Sequence, residues 1–245
     1  MRSSQNNHPE VPPFKEPETL ARTVARYLEK EIIEGRLRAG LRLVPEELAK
    51  RFRISKMPVR DALMSLQKDG LVTNRPRIGF FVADINLADI EEIYPLRAAL
   101  NALAVKIILE QGYDHDFLTD LEAVLENMAA CVQSGDINEY FYLNVRFYEY
   151  LLEHCPNRRL NLFINQLGKQ TLRFRFMSMS QPGHIQNSLR SHRRLFQALR
   201  ERDVEAAQKA AQEIIYQALA VLRQYLGELG GSPEPTLHLR HEERA

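Results

Sequence analysis

Lys56 and Arg60 stand four residues apart in RISKMPVRDALMSLQKDG, residues 53–70, a spacing that places both cations on one face of a helix, one turn apart. Side chains of this kind suit one task well. Arg presents a planar fork that matches guanine O6 and N7, and Lys donates to the same atoms as a point charge. Lys50, Arg51, Arg53, Arg75 and Arg77 surround the pair. Cations so placed neutralise phosphates or enter a minor groove, adding affinity and salt dependence with little base discrimination. Met57 lies between the pair and either meets a thymine methyl or packs. A charge run more commonly just solvates a helix face, so the elements around these residues decide the matter.

Those elements come in a definite order. From Glu18 the pattern is helical, with Leu20, Val24, Leu28 and Ile32 on one stripe and Gly35 as the stop. RLRAGLRL reads as an extended connection turning at Gly40. A short second helix follows, with Pro45 in a first turn that tolerates it, Glu46 and Glu47 complementing the dipole, and Leu48, Ala49 and Phe52 facing inward. Only Arg53 and Ile54 separate it from Ser55, the expected N-cap of a third helix whose buried stripe is Val59, Ala62, Leu63 and Leu66 and whose end is Asp69-Gly70. Pro58 falls in that helix's first turn, where a missing N–H costs little. Two β-prone runs, Leu71–Thr73 and Phe80–Val82, flank a basic turn with Pro76 and Gly79. Helix, helix, tight turn, helix, hairpin is the order of a winged helix-turn-helix. Its third helix enters a major groove by its N-terminal end, where Ser55, Lys56, Met57 and Arg60 lie, and its wing carries Arg75, Arg77 and Gly79.

Beyond Asp84 the sequence is almost wholly helical, with segments expected at Leu87–Gln111, Asp116–Gln133, Ile137–Glu153, Arg158–Phe176, Asn187–Glu201 and Val204–Glu228. An antiparallel all-α bundle of about six helices is the simplest way to bury their stripes. The fold class expected is therefore mainly α: a winged helix-turn-helix over 17–85 and an antiparallel all-α bundle over 86–229, with flexible tails at 1–16 and 230–245. Charge divides at the same place. Residues 1–85 hold 16 basic and 11 acidic side chains and the remainder 17 and 21, so a net +5 precedes a net −4. A basic segment joined to an acidic one suits a polyanion partner for the first part and another task for the second.

Several chemistries are excluded. Cys131 and Cys155 are too few for a disulfide framework and lack zinc-site spacing, so they read as buried thiols. No nucleophile elbow, phosphate-cradling glycine loop or complete metal set occurs, which speaks against an enzyme and implies no cofactor. No apolar run is long enough for a signal h-region or a membrane span, so the cytoplasm is the expected location and no membrane partner is implied.

The first 85 residues resemble the GntR family of bacterial transcription regulators, through IIEGRLRAGLRLVPEELAKRFRISKMPVRDALMSLQKDGLVTNRPRIGFFV. The family phrase S-R-T-P-V-R-E-A-L corresponds to Ser55-Lys56-Met57-Pro58-Val59-Arg60-Asp61-Ala62-Leu63. Lys56 stands where an Arg usually reads bases and Met57 where a Thr is usual, departures that imply an unusual operator preference. The remainder resembles the FCD effector domain of the FadR subfamily, through DIEEIYPLRAALNALAV, NVRFYEYLLEHCPNRRL and SHRRLFQALRERDVEAAQKAAQEII. In many relatives that bundle holds a divalent metal on one Asp and three His. The corresponding positions here are Asn144, Tyr148, His192 and Ile214, of which only His192 keeps the ligand type. One imidazole does not make a transition-metal site, and His115, His154, His184, His238 and His241 fit no ligand spacing.

Asn144 and Tyr148 still share one helix face among Phe141, Val145 and Leu152, and polar groups on a buried face need partners. Either they and His192 satisfy one another, or they line a ligand cavity. Arg97 corresponds to an Arg that faces this cavity in relatives, and Arg173 is a second candidate whose alternative is solvent exposure. A buried Arg without an acid is costly, which makes a carboxylate or other small anion the natural effector. The resemblance thus implies a ligand-responsive repressor that binds double-stranded DNA at an inverted-repeat operator as a homodimer. Two alternatives stay open: a DNA-binding dimer whose bundle is a ligand-free scaffold, and a metal-dependent enzyme fused to a DNA-binding module.

Overall fold

The computed structural model describes residues 19–228, so the tails expected at 1–16 and 230–245 lie outside the described residues, as do His238 and His241. Helix α1 (Leu20–Ile33) starts on Thr19, whose hydroxyl accepts from the Arg22 amide, and buries Val24, Leu28 and Ile32. Strand β1 (Arg42–Leu43) precedes α2 (Pro45–Phe52), which Arg53 ends in the left-handed region at φ 56°. That sharp exit aims α3 (Lys56–Lys68) across α2 and α1, with Val59, Ala62, Leu63 and Leu66 buried.

Strands β2 (Val72–Arg75) and β3 (Gly79–Val82) form the wing. The sheet is antiparallel in the order β1-β3-β2, so the stretch expected as a plain extended connection supplies an edge strand, with Arg42 opposite Phe81. Arg77 turns the wing with φ 65°. One hydrophobic cluster joins these elements, from Val24 and Leu28 through Leu43 and Leu63 to Phe80 and Val82.

The second cluster belongs to seven helices: α4 (Leu87–Gln111), α5 (His115–Ser134), α6 (Ile137–Glu153), α7 (Arg158–Gln170), α8 (Leu172–Met179), α9 (His184–Glu201) and α10 (Val204–Glu228). Asn86, Asp114, Asp136 and Asn157 each accept from an amide two or three residues on, satisfying donors that a helix start leaves unpaired. α10 lies along α4 and α9, and Tyr94, Phe117, Tyr140, Phe141 and Phe147 fill the interior.

One expected helix is two. The segment Arg158–Phe176 breaks at Thr171, whose hydroxyl donates back to the carbonyls of Leu167 (3.1 Å) and Gly168 (3.0 Å) while its backbone leaves helical geometry at φ −103°, ψ 0°. A Thr hydroxyl that competes for backbone carbonyls is a known way to bend a helix. The break re-aims α8, all of whose residues from Arg173 to Met179 are buried.

Polar contacts tie the two clusters together. Lys169 on α7 reaches Asp69, which caps the C-terminus of α3, at 3.0 Å. Tyr142 on α6 donates to Glu34 after α1 at 3.2 Å, and Arg173 on α8 donates to the Ala83 carbonyl at 2.8 Å. Gly70, with φ 77°, lies so close to Gln170 that an added Cβ would meet its side chain at 3.3 Å.

Candidate functional site

The N-terminal end of α3, the start of α2 and the wing enclose a groove of about 380 Å³, lined by Arg42, Glu46, Lys56, Arg60, Asn74 and Arg77 among others. Lys50, Arg51, Arg53, Ser55, Lys56, Met57, Arg60, Arg75 and Arg77 are exposed, with Gly79 half-buried at the strand end. Met57 is 63% exposed, so it packs against nothing of consequence in this chain and stands free beside Arg60. Arg75 is partly engaged, stacked 4.5 Å from the Phe81 ring centroid and 3.5 Å from Asp84. Arg42 and Asn74 went unnoticed in the sequence, because only the strand pairing brings β1 and β2 to the rim of this groove.

Two details of α3 differ from expectation. Ser55 has extended geometry (ψ 162°) but its hydroxyl makes no capping bond. An N-cap side chain bonds the amide two or three residues on, and Pro58 at the third position has no N–H to offer, which leaves the Ser55 hydroxyl available outward. Lys56 is ion-paired to Glu46 on α2, and this contact holds the Glu46 carboxyl below its ordinary range. Both groups are about half-exposed, where solvent screens such pairs and leaves them weak, so a phosphate or a base edge can displace the carboxylate.

Within the bundle a second polar group is assembled. Asn144 is 2% and His192 0% exposed, and their side chains meet at 3.0 Å between Nδ2 and Nε2. Arg175 Nη2 donates to Asn144 Oδ1 at 2.6 Å, and His192 Nδ1 lies 2.7 Å from the Ser188 carbonyl. Only one proton arrangement satisfies every atom. Arg175 donates to the Asn144 oxygen, the Asn144 amide donates to His192 Nε2, and His192 Nδ1–H donates to Ser188. The imidazole is neutral: burial pushes its pKa down to about 4, and the nearby Arg175 charge adds to the effect. Tyr148 packs edge-on against His192 at 5.8 Å, and Ile214 lines the same small space. A guanidinium on the Asn144 oxygen, a neutral phenol and the sec-butyl group of Ile214 do not fit a divalent cation, so the donor set does not match the metal centre that the family resemblance implied.

The sequence singled out Arg173 as a cavity residue, and the structure places it elsewhere. Its guanidinium is bound to Ala83 between the two clusters, while Arg175, two residues on, points into the bundle. The choice between them depends on the phase of α8, which the Thr171 break resets. Arg97 is 4% exposed with its guanidinium 5.2 Å from the Tyr94 ring centroid, and Arg175 sits 5.6 Å from that of Tyr148. Neither forms an ion pair with a carboxylate among the described residues. Burial, then repulsion by Arg97, pulls the Arg175 pKa down to about 10. Both arginines and Tyr148 line a cavity of about 680 Å³ that also reaches Glu29, Lys30 and Ile33 of α1. Burial and the Asp69 charge raise the pKa of Glu29 there.

Comparison with known proteins agrees with this architecture. Residues 20–82 match the model of bacterial regulatory proteins of the gntR family, and residues 92–217 match the FCD domain. The HTH-type transcriptional regulator YdhC of Bacillus subtilis (strain 168) is 32% identical over 183 residues, 74% of this chain and 81% of YdhC. The HTH-type transcriptional repressor RspR of Escherichia coli (strain K12) is 26% identical over 206 residues, 82% of this chain and 88% of its own. The solved structure of E. coli McbR/YncC superposes with a TM-score of 0.73 at 24% identity, covering 84% of this chain and 98% of that one, a likeness of fold. With an N-terminal winged helix-turn-helix, an FCD bundle and relatives that are regulators rather than enzymes, the chain belongs to the GntR family, FadR subfamily, of DNA-binding transcriptional regulators.

Proposed function

We infer that the chain is a repressor that binds an inverted-repeat operator as a homodimer and lets go when a small anionic metabolite enters its FCD domain. Arg60 and Lys56 read base edges, Ser55 and Met57 contact the same groove, and Lys50, Arg51, Arg53, Arg75 and Arg77 hold phosphates, with Gly79 allowing close approach of the wing. Arg97 and Arg175 receive the anion, and Asn144, Tyr148 and His192 fix their surroundings. RspR, a relative of similar length coverage, is named a repressor, which favours repression here. Such a protein works on the chromosome, in the cytoplasm.

The observation that carries the ligand-responsive part is the pair of buried guanidinia with no carboxylate partner. A cation taken out of water without a counter-charge is destabilising, and an oxyanion that supplies the charge binds the folded state selectively. Dimerisation is supported by exposed apolar side chains on two helices in contact, Leu96 and Leu103 two turns apart on α4 and Leu162 and Phe163 on α7, the last two 70% and 59% exposed. Selection of bound duplexes from a random pool tests the DNA part. Arg60→Ala then costs about 1–3 kcal/mol on the selected sequence and relaxes one base position, whereas Arg77→Ala weakens all sequences evenly and lowers the salt slope by about 1. If Arg60→Ala leaves the selected sequence and its affinity unchanged, the base-reading assignment fails.

A second reading, the ligand-free scaffold, is favoured by one observation: the Arg175–Asn144–His192–Ser188 chain is already satisfied without a ligand. A thermal-shift screen against organic acids separates the two, because a ligand that binds only the folded chain raises the midpoint with concentration.

A further inference from the structure

The space available near the two buried arginines is unevenly divided. On the side of Asn144, Ser188 and Ile214 the interior leaves only about 20 Å³, room for about one water and not for an organic ligand. On the other side, the same Arg97, Tyr148 and Arg175 open on the cavity of about 680 Å³ between the bundle and α1, within the range of roughly 300–1,000 Å³ typical of small-molecule sites. Next to the arginines its wall is polar, with Asn101 fixed by a 2.8 Å bond to the Arg97 carbonyl. Farther out it turns apolar through Phe141, Val145, Leu152, Ile164 and Leu172, and its rim at α1 sets Ile33 among charged groups of both signs, Glu29, Lys30 and Asp69 included.

We propose that this interdomain cavity, rather than the bundle centre, is the ligand site, and that it takes an amphipathic organic anion with its oxyanion head on Arg97 and Arg175 and its apolar body lying toward α1. The head supplies the counter-charge that no carboxylate gives the two guanidinia. The body covers the limited apolar surface that the cavity leaves open at Val145 and Leu172 and over the edges of Leu152 and Ile164. The bound molecule touches Ile33 and Lys30 of the DNA-binding domain directly, so occupancy and domain placement are linked without relay through the bundle. This rests on the anion-responsive reading above and adds where the ligand sits and what kind it is.

Two fluorescent probes with one body separate the contributions: 8-anilinonaphthalene-1-sulfonate carries the anionic head and N-phenyl-1-naphthylamine lacks it. The full chain is expected to bind the sulfonate at one site and at least tenfold more tightly than the amine, with inorganic sulfate competing poorly. Arg97→Met is expected to bring the two probes level, and Arg97→Lys to restore part of the preference. Gly168 lines the cavity, has nothing within 4 Å of an added Cβ and sits in helix α7, so Gly168→Phe fills the space without strain and is expected to weaken the sulfonate at least tenfold while circular dichroism stays native. Equal binding of both probes to the native chain, or no binding of the sulfonate, overturns the proposal. An Arg97-dependent sulfonate that ignores Gly168→Phe overturns the interdomain placement and leaves the anion-responsive reading standing.

Discussion

At the scale of single residues, the polar chain from Arg175 to Ser188 explains why an amide serves at position 144. A carboxylate there could not donate to a neutral imidazole, whereas Asn144 accepts from Arg175 with one end and donates to His192 with the other. His192 therefore stays neutral in the fold, with its pKa near 4 against 6.5 for the unperturbed ring. Between those values the unfolded chain binds more protons than the folded one. The His192 contribution to stability is thus fully present above about pH 6.5 and is lost as pH falls toward 4, on the order of 3 kcal/mol in all. His184 is lowered by burial and acts in the same direction, so the effect of His192 is read as the difference in slope between the native chain and His192→Gln in urea titrations at several pH values. Equal slopes would show that the ring does not stay neutral. Asn144→Asp is expected to do the reverse, lifting the His192 pKa above 6.5 as a carboxylate comes to face the ring, which NMR of the imidazole protons measures directly.

At the scale of elements, α3 is legible because its two faces serve unlike purposes. Val59, Ala62, Leu63 and Leu66 repeat at helical spacing toward the core, and the charged residues occupy the remaining arc. Leu63 is fully buried, so Leu63→Ala is expected to destabilise the chain by about 2–5 kcal/mol, read as a lower denaturation midpoint at unchanged m-value. The α7–α8 segment was legible as helix but not as two helices, since Thr171 is compatible with either outcome until its hydroxyl finds the Leu167 and Gly168 carbonyls. With the break unseen, Arg173 and Arg175 could not be told apart. Likewise β1 has only two residues and no pattern of its own, and exists because β3 pairs with it.

At the scale of the whole molecule, the DNA-binding elements are held to the bundle by a few polar contacts and by Ile33 and Ile85, which pack into the bundle's core, beside a large cavity. Interfaces of that sort permit relative domain movement, the property a ligand-responsive regulator needs. The proposed homodimer makes its own demand. Leu162→Arg combined with Phe163→Glu places two charges on the exposed apolar face, and sedimentation is expected to show a shift to monomer, with operator affinity falling because one half-site no longer secures the other. A native sedimentation coefficient for this variant would rule the face out as the dimer contact.

The sequence by itself determined what local chemistry determines: helical periodicity, the proline and glycine punctuation, the division of charge, and the phrase around Lys56 and Arg60 that marks the family. It also carried the loss of the metal ligands at Asn144, Tyr148 and Ile214, since ligand chemistry belongs to residue types. Only the tertiary structure decided that Arg175 rather than Arg173 enters the bundle, that Arg42 and Asn74 reach the groove beside Lys56 and Arg60, and that the open volume lies between the domains. Those facts depend on helix phase, strand pairing and packing across long separations in the chain, and one residue of helix rotates a side chain by about 100° while leaving composition and spacing unaltered.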